Sequence, residues 1–270
     1  MFTDIHTHAF HPKIAAKAVD HLNSYYNVQC AGTGTIDDLL QREKKSGVER
    51  CVVLCAATDP SQVIPANRYA ITLQQEHPEV VAFGTIHPGF EDWEQQLRLL
   101  KKHGIQGIKL HPDFQHFWLN DPRLLPILEQ AQDQFIFEIH IGDYLPPEQN
   151  PSCPYKVAAL LDAFPRLRVI AAHLGGYQHW THSLKALVGR DVWLETSSST
   201  PFIAQDLLLQ ILKRHPQERI LFGSDYPLYD PLEEMYRLQH RARLSDAALE
   251  KFMSNADALL TSSPIPTPEA

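Results

Sequence analysis

Two histidines one residue apart stand near the start of the chain: His6 and His8, in TDIHTHAF. On a strand, the i, i+2 spacing puts both side chains on one face. Two imidazoles held that way can close on one cation through one nitrogen each, while an acceptor behind each ring holds the other nitrogen. The pair alone is a weak signal, because the chain carries 15 histidines. It gains weight from polar residues that end later apolar runs: His87, Lys109 and His111 in GIKLHP, His140 in FIFEIH, His173 in VIAAHLGG, Ser197 in LETSS and Asp225 in LFGSDYP. A histidine closing a buried strand costs free energy unless it finds a partner. Three or four histidines with one aspartate form an N/O ligand set without sulfur. That set favours Zn2+, with Mn2+, Fe, Co or Ni as alternatives. With one coordination position left to water, the water's pKa falls towards ~7 and hydroxide forms at neutral pH.

Such a site needs a scaffold that brings distant strand ends together. Eight short, β-branched apolar runs end near His8, Ala56, His87, His111, His140, His173, Ser197 and Asp225. Helical patterns lie between them, for example at 93–104, closed by Gly104, and at 204–215, closed by Pro216. Two more, around 231–242 and 245–260, follow the last strand. Eight strand–helix units without a linker-like break predict a single (β/α)8 TIM barrel over 1–260. A dinucleotide-binding open sheet would want a Gly-rich first turn, and here that turn reads HTHAFHP. In a barrel all eight C-terminal strand ends meet at one mouth, where the polar residues above cluster. The first strand-to-strand interval is longer than the rest, and SYYNVQCAGTG (24–34) reads as an insertion loop and a candidate contact surface for a homo-oligomer. The Pro/Ser/Thr-rich segment 261–270 is expected to be disordered.

Composition narrows the partners. A net charge of −8 opposes a broad phosphate-binding surface, so nucleic acid is not an expected partner. No apolar run reaches the ~18–20 residues of a membrane span, and no signal peptide is visible. The four cysteines, Cys30, Cys51, Cys55 and Cys153, lack metal-knuckle spacing and read as reduced thiols of a cytoplasmic protein. The expected partner is a small molecule.

Taken together, DIHTHAF, GIKLHPDF, IHIGD, AHLGG, LFGSDYP and the late NADALL resemble the amidohydrolase superfamily, in particular its amidohydrolase-related branch. The resemblance runs from the first strand to Asn255. It implies His6, His8, His140 and Asp225 as metal ligands, with about one Zn2+ or Mn2+ per chain. It implies that His173 orients or deprotonates the attacking water or stabilises the developing oxyanion, and that Asp225 also shuttles the water's proton to the leaving group. In binuclear members a strand-4 lysine is carboxylated and bridges two ions, with the strand-5 and strand-6 histidines on the second. On that reading Lys109 and His173 serve a second metal; on the mononuclear one Lys109 faces the substrate's carboxylate. Nuclease-like relatives have a glutamate where this chain has Lys109, which weighs against a nuclease.

The mouth loops supply Phe114, Phe117, Trp118, Tyr144 and Tyr177 for stacking on a substrate, and His111 shares the face of Lys109. Of these, His111, Trp118, Tyr144 and Tyr177 are the candidate substrate contacts. Ser197, Ser198 and Ser199 could hydrogen-bond a substrate, but the favoured reading is that they cap the helix after Pro201, and with no nucleophile elbow around them a serine hydrolase is not expected. The expected activity is metal-dependent hydrolysis of a small-molecule ester, lactone or amide by metal-bound hydroxide. The alternatives are non-oxidative decarboxylation of a small unsaturated or aromatic acid, and a barrel that binds metal or ligand without turnover.

Overall fold

The computed structural model describes residues 1–261. Its strands are β1 (Thr3–Thr7), β2 (Arg50–Leu54), β3 (Val80–Thr85), β4 (Gly107–Leu110), β5 (Ile136–Ile139), β6 (Arg168–Ala171), β7 (Trp193–Glu195) and β8 (Ile220–Leu221). They pair in parallel in sequence order, the (β/α)8 topology expected. Closure between β8 and β1 is made without a full ladder. Ile5 N donates to Phe222 O at 2.9 Å, Asp225 N to His6 O at 2.8 Å and His8 N to Tyr226 O at 2.7 Å.

Near-continuous apolar runs suit strands buried on both faces. Ile5, Val52, Leu54, Phe83, Ile136, Ile170 and Leu221 fill the barrel's interior. Leu259 and Leu260 of the last helix, Asp246–Thr261, pack against this inner layer. In the same helix Asn255, from the NADALL segment, donates to Gln217 O and Ile220 O at 2.8 and 2.7 Å, tying the helix to the start of β8.

Helices fall where periodicity put them, at Trp93–Lys102, Gln205–Arg214 and Pro231–Ala242. The 24–34 segment is not an insertion loop throughout. Residues up to Tyr26 finish a helix, Ala15–Tyr26, which stops at Asn27 in left-handed conformation (φ 52°). A second helix, Ile36–Ser46, follows, so the long first interval holds two helices where the other units hold mainly one. The expected tail lies outside the described residues except Thr261, which ends the last helix. The four cysteines are free thiols. Among the described residues no helix is long and apolar enough to cross a membrane.

Candidate active site

His6, Lys109, Glu138 and Glu195 lie within the last two residues of β1, β4, β5 and β7, and the other polar residues follow just after their strands, so these side chains stand at the barrel mouth. His6 and His8 approach through Nε2 at 3.2 Å. Asp225 Oδ1 lies 3.4 Å from His6 Nε2 and 3.5 Å from His8 Nε2. Three lone-pair donors from β1 and the loop after β8 thus form a triangle with edges of 3.2–3.5 Å. Ligands ~2.0–2.2 Å from a Zn2+-type ion are spaced about that far apart.

The far nitrogens are all anchored. His8 Nδ1 donates to Leu54 O at 3.1 Å. His6 Nδ1 faces Glu138 Oε1 at 2.8 Å and Glu195 Oε1 at 3.1 Å. This fixes the tautomers and turns both Nε2 lone pairs inward, as metal-ligating histidines require. Three carboxylates, Glu138, Glu195 and Asp225, surround a single ammonium, Lys109, which lies 3.2 Å from Glu138 Oε1 and 3.5 Å from His6 Nε2. The excess of negative charge is two, what one divalent cation balances. The residues therefore fit a divalent metal.

Protonation follows the same field. Burial and Lys109 push His6 towards neutrality, but Glu138, Asp225 and Glu195 outweigh them and lift it to about 10. His8, half-buried and beside His6, drops to about 3. Burial raises Glu195, yet His6 and the hydrogen bonds around it bring that carboxyl to about 2. Burial likewise opposes ionised Asp225, and His6, His173, His8 and the Ser198 hydroxyl hold it below the usual range. A proton and a cation compete for the same Nε2 of His6.

His173 stands beside the triangle. Its Nδ1 lies 3.1 Å from Ser197 O and 3.0 Å from Ser197 Oγ, and its Nε2 is 2.9 Å from His140 Nδ1. Burial lowers both imidazoles' pKa and keeps them neutral. His140 is thus not at the triangle. Its Nε2 faces Gly142 O at 3.1 Å and its ring stacks on His111 at 3.8 Å. His111, buried, caps the short helix Pro112–Gln115, its Nδ1 accepting from Phe114 N at 3.3 Å.

Backbone strain concentrates here. His173, Leu174, Ser198 and Asp225 have φ of 59°, 53°, 48° and 64°, the left-handed region that non-glycine residues avoid. Gly223 shows why no side chain is tolerated before Ser224. A Cβ there would sit 2.4 Å from Glu195 Oε2 and 2.9 Å from His6 Cβ. Behind β1, Asp4 Oδ1 accepts from His6 N at 3.1 Å and Ser224 N at 3.0 Å, so one carboxylate sets the backbone beside two of the proposed ligands. Burial lifts Asp4 to about 7, and burial with Asp4 alongside lifts Glu43 well above the carboxylate range, so Glu43 keeps its proton.

Several residues were not legible as site residues: Glu138, Glu195, Asp4, Tyr26 and Tyr229. Two signals were available. Glu138 lies two before His140 on β5, and Glu195 interrupts an apolar strand end. The serines do not cap the helix at 205, whose N-cap residue, Ala204, makes no side-chain cap. Ser197 Oγ donates to Glu195 Oε1 at 2.8 Å, Ser198 Oγ to Asp225 Oδ2, and Ser199 Oγ to Ser197 O at 3.0 Å. The strained turn after β7 aims these hydroxyls at the carboxylates.

A narrow recess, with room for about one water, opens over the cluster, lined by Tyr26, Tyr177, Leu228, Tyr229 and Ser198 above His140, His173 and Asp225. Tyr177 is buried, and its hydroxyl is 3.0 Å from that of exposed Tyr144 at the rim. Trp118 is elsewhere: it lies under Lys156 Nζ, 4.7 Å from the ring centre, and does not line the recess.

Residues 3–260 match the amidohydrolase family. None of the curated proteins matches the chain by sequence. Among solved structures, a TIM-barrel protein of Bordetella bronchiseptica superposes with a TM-score of 0.72 at 16% identity, over 96% of this chain and 98% of the other. A "probable 2-pyrone-4,6-dicarboxylic acid hydrolase" of Acinetobacter baumannii, with citric acid bound, gives 0.68 at 16% identity, over 96% and 98%. A dihydroxybenzoic acid decarboxylase of Polaromonas, with manganese and 2-nitroresorcinol bound, gives 0.67 at 16% identity, over 96% of each chain. At these identities the likeness shows the fold.

Proposed function

The chain belongs to the amidohydrolase family, and from that premise we propose that it is a metal-dependent hydrolase of a small-molecule ester, lactone or amide. One observation supports this above the rest: a triangle of inward-facing lone pairs on His6, His8 and Asp225 lies beside a neutral, anchored imidazole, His173. His6, His8 and Asp225 would hold the ion, Zn2+ or Mn2+, and His140, now bonded to His173, would have to leave that partner to serve as the fourth ligand. A divalent ion there supplies a water whose pKa is lowered towards ~7 and polarises the scissile carbonyl.

The protein's own groups do the rest. Ser197 O accepts a hydrogen bond from His173 Nδ1–H, which leaves Nε2 as the base that would orient the water or accept its proton. Ser198 donates to the outer oxygen of Asp225, which keeps that carboxylate ionised and able to carry a proton to the leaving group. One ion per chain is the stoichiometry we propose, because Lys109 is engaged as a cation by Glu138 at 3.2 Å. A carboxylated Lys109 would set two anions against each other there.

Decarboxylation of a small unsaturated or aromatic acid is the second reading, supported by the aromatic rim and by the fold shared with a dihydroxybenzoic acid decarboxylase. In it His173 delivers a proton to carbon instead of taking one from water. A panel of lactones and unsaturated acids, scored for ring opening against CO2 release, tests the proposal. CO2 release without ring opening would replace hydrolysis by the second reading. Full-rate turnover in His173→Asn would remove His173 from both.

A further inference from the structure

The floor of the mouth is covered. His6, His140, His173 and Asp225 are each exposed by 5% or less, and the recess above them has room for about one water. A small molecule of the class proposed above reaches these groups only if part of the cover moves. Three of its pieces are fixed to the barrel. Tyr177 N donates to Ile141 O at 2.7 Å, and Trp180 Nε1 from the same loop region donates to His173 O at 3.0 Å. Leu228 and Tyr229 are held from both sides: Leu228 N donates to Asp225 O at 2.8 Å, and Asp230 pairs with Arg42 at 2.6 Å. Ser198 donates to Asp225. The remaining piece is Tyr26, the last residue of the helix Ala15–Tyr26.

That helix belongs to an excursion with a pinched base. Phe10 N donates to Gly34 O at 2.7 Å, so the chain leaves the barrel and returns to it at one point. On one side Phe10 O accepts from Tyr69 Oη at 3.1 Å; on the other Ala31 N and Gly32 N donate to Leu228 O and Pro227 O at 3.2 and 3.1 Å. Between these anchors, residues 11–30 make one hydrogen bond to the rest of the protein among the described residues, from Tyr25 Oη to Asp143 at 2.7 Å. Of the helix's twelve residues only Ala15 is buried, against five of fourteen in the helix Val63–Glu76. No side chain caps its start, and Asn27 ends it in left-handed conformation. Its last turns rest on one ring. His21, Tyr25 and Tyr26, at i, i+4 and i+5, meet Phe114 with ring centres 5.8, 4.8 and 6.1 Å away. Phe114 is itself stacked on His111 at 4.2 Å, so the platform is fixed and the helix is the part able to leave. A segment with few buried contacts and exposed hydrogen bonds lies at the low end of local stability.

We propose that residues 11–30 are a hinged flap, whose helix lifts off the mouth as a unit to admit the substrate and then shuts over it. The base at Phe10 and Gly34 stays closed, residues 11–14 and 27–30 absorb the rotation, and the bond from Tyr25 to Asp143 is the latch. With the helix down, Tyr26 seals the recess; with it up, the mouth opens over His173 and Asp225. This rests on the metal-dependent function proposed above and adds how its substrate reaches the floor. A cover that shuts after entry also keeps bulk water from the reacting groups.

The test follows the helix and the floor together, on the metal-loaded protein. Hydrogen exchange read by mass spectrometry reports the helix. Access to the floor is reported by a cysteine placed in the recess, Leu228→Cys in a Cys30→Ser background, labelled with 4,4′-dithiodipyridine; Cys51, Cys55 and Cys153 are buried. Amides of Ala15–Tyr26 should exchange at least roughly 10-fold sooner than those of Val63–Glu76. Tyr25→Phe, which keeps the ring on Phe114, should speed both exchange and labelling about 2- to 3-fold, the loss of one exposed hydrogen bond. Phe114→Ala should speed both by roughly 10-fold or more, and Tyr25→Phe alone decides if that variant does not fold. Faster exchange with unchanged labelling would mean that the helix frays without uncovering the floor, and would overturn the flap. So would helix amides as slow as those of Val63–Glu76. Neither readout needs turnover, and metal content, measured on the same samples by elemental mass spectrometry, reports the function separately. A metal-free protein whose two rates move together keeps the flap and loses the metal-dependent function, whereas a metal-loaded one with a still helix loses only the flap.

Discussion

The floor of the mouth and its rim are built on opposite principles. On the floor each functional atom is held from behind by one or more partners: His6 by Glu138 and Glu195, His8 by Leu54 O, His173 by Ser197, Asp225 by Ser198. The rim is joined by few side-chain bonds. Tyr25, on the helix Ala15–Tyr26, donates to Asp143 of the loop after β5 at 2.7 Å, Tyr144 meets Tyr177 at 3.0 Å, and both Tyr25 and Tyr144 are exposed. The floor is preorganised for a reaction, and the rim is free to adapt to what reacts. Changes to the floor should therefore be all-or-none, and changes to the rim graded.

The largest effect should come from removing a proposed ligand. His6→Ala or Asp225→Ala should drop metal content from about one ion per chain to near zero and turnover by roughly three orders of magnitude or more. An unchanged metal content in both would break the contrast outright.

Next comes the layer behind. Asp4→Ala removes the acceptor shared by His6 N and Ser224 N and should weaken metal affinity about 10- to 100-fold, as outer-shell losses do. Asp4→Asn keeps an acceptor oxygen and should retain most of that affinity. Competition with a metal-sensing chelator measures both, and equal losses would show that charge, not positioning, is what Asp4 contributes.

Glu234 sits between floor and rim. Its carboxylate accepts from Thr200 Oγ1 at 2.7 Å and lies beside Arg237. Burial nonetheless lifts it from 4.5 to about 7. A carboxyl with a raised folded pKa binds more protons folded than unfolded, so stability is highest below pH 4.5 for this group and falls as pH rises to about 7. The expected loss is on the order of 3 kcal/mol as an upper bound, at 1.36 kcal/mol per pKa unit. Urea unfolding across that range should show Glu234→Gln with a flatter profile, and parallel profiles would mean that Glu234 is not the titrating group.

The smallest effect belongs to the rim. Tyr25→Phe deletes an exposed hydrogen bond and should change stability by less than about 0.5 kcal/mol. It should alter KM more than kcat, by a few-fold. A hundred-fold fall in kcat would place the rim with the floor.

What could be read before any geometry follows the same division. Periodicity gave eight strands and their helices because burial on both faces imposes continuous apolar runs. The HxH spacing, His173 and Asp225 were legible because polar groups at strand ends need partners. Glu138 and Glu195 were not, since a carboxylate inside an apolar run announces only that something opposes it, without naming what. The serines after β7 were misread because their turn is strained in a way that composition does not show. Trp118 and Tyr144 failed to reach the recess for a simpler reason: loop side chains go where tertiary neighbours send them, Trp118 to Lys156 and Tyr144 to the rim. The helix Ala15–Tyr26, hidden in an apparent insertion, carries the rim's Tyr25 and Tyr26.

The seam between β1 and β8 has a consequence for how the molecule comes into being. Asp4 and Ser224, whose bond closes it, are 220 residues apart in sequence. A ribosome that has released His6 and His8 must go on to release Asp225 before the ligand triangle exists. No fragment ending earlier can grip an ion there, and a chain cut after β7 should be metal-free however well its first seven units fold. Loading is then a late event in the life of the chain. An ion bound there would latch a ring whose two ends have just met, and its withdrawal should let the barrel part first at that join.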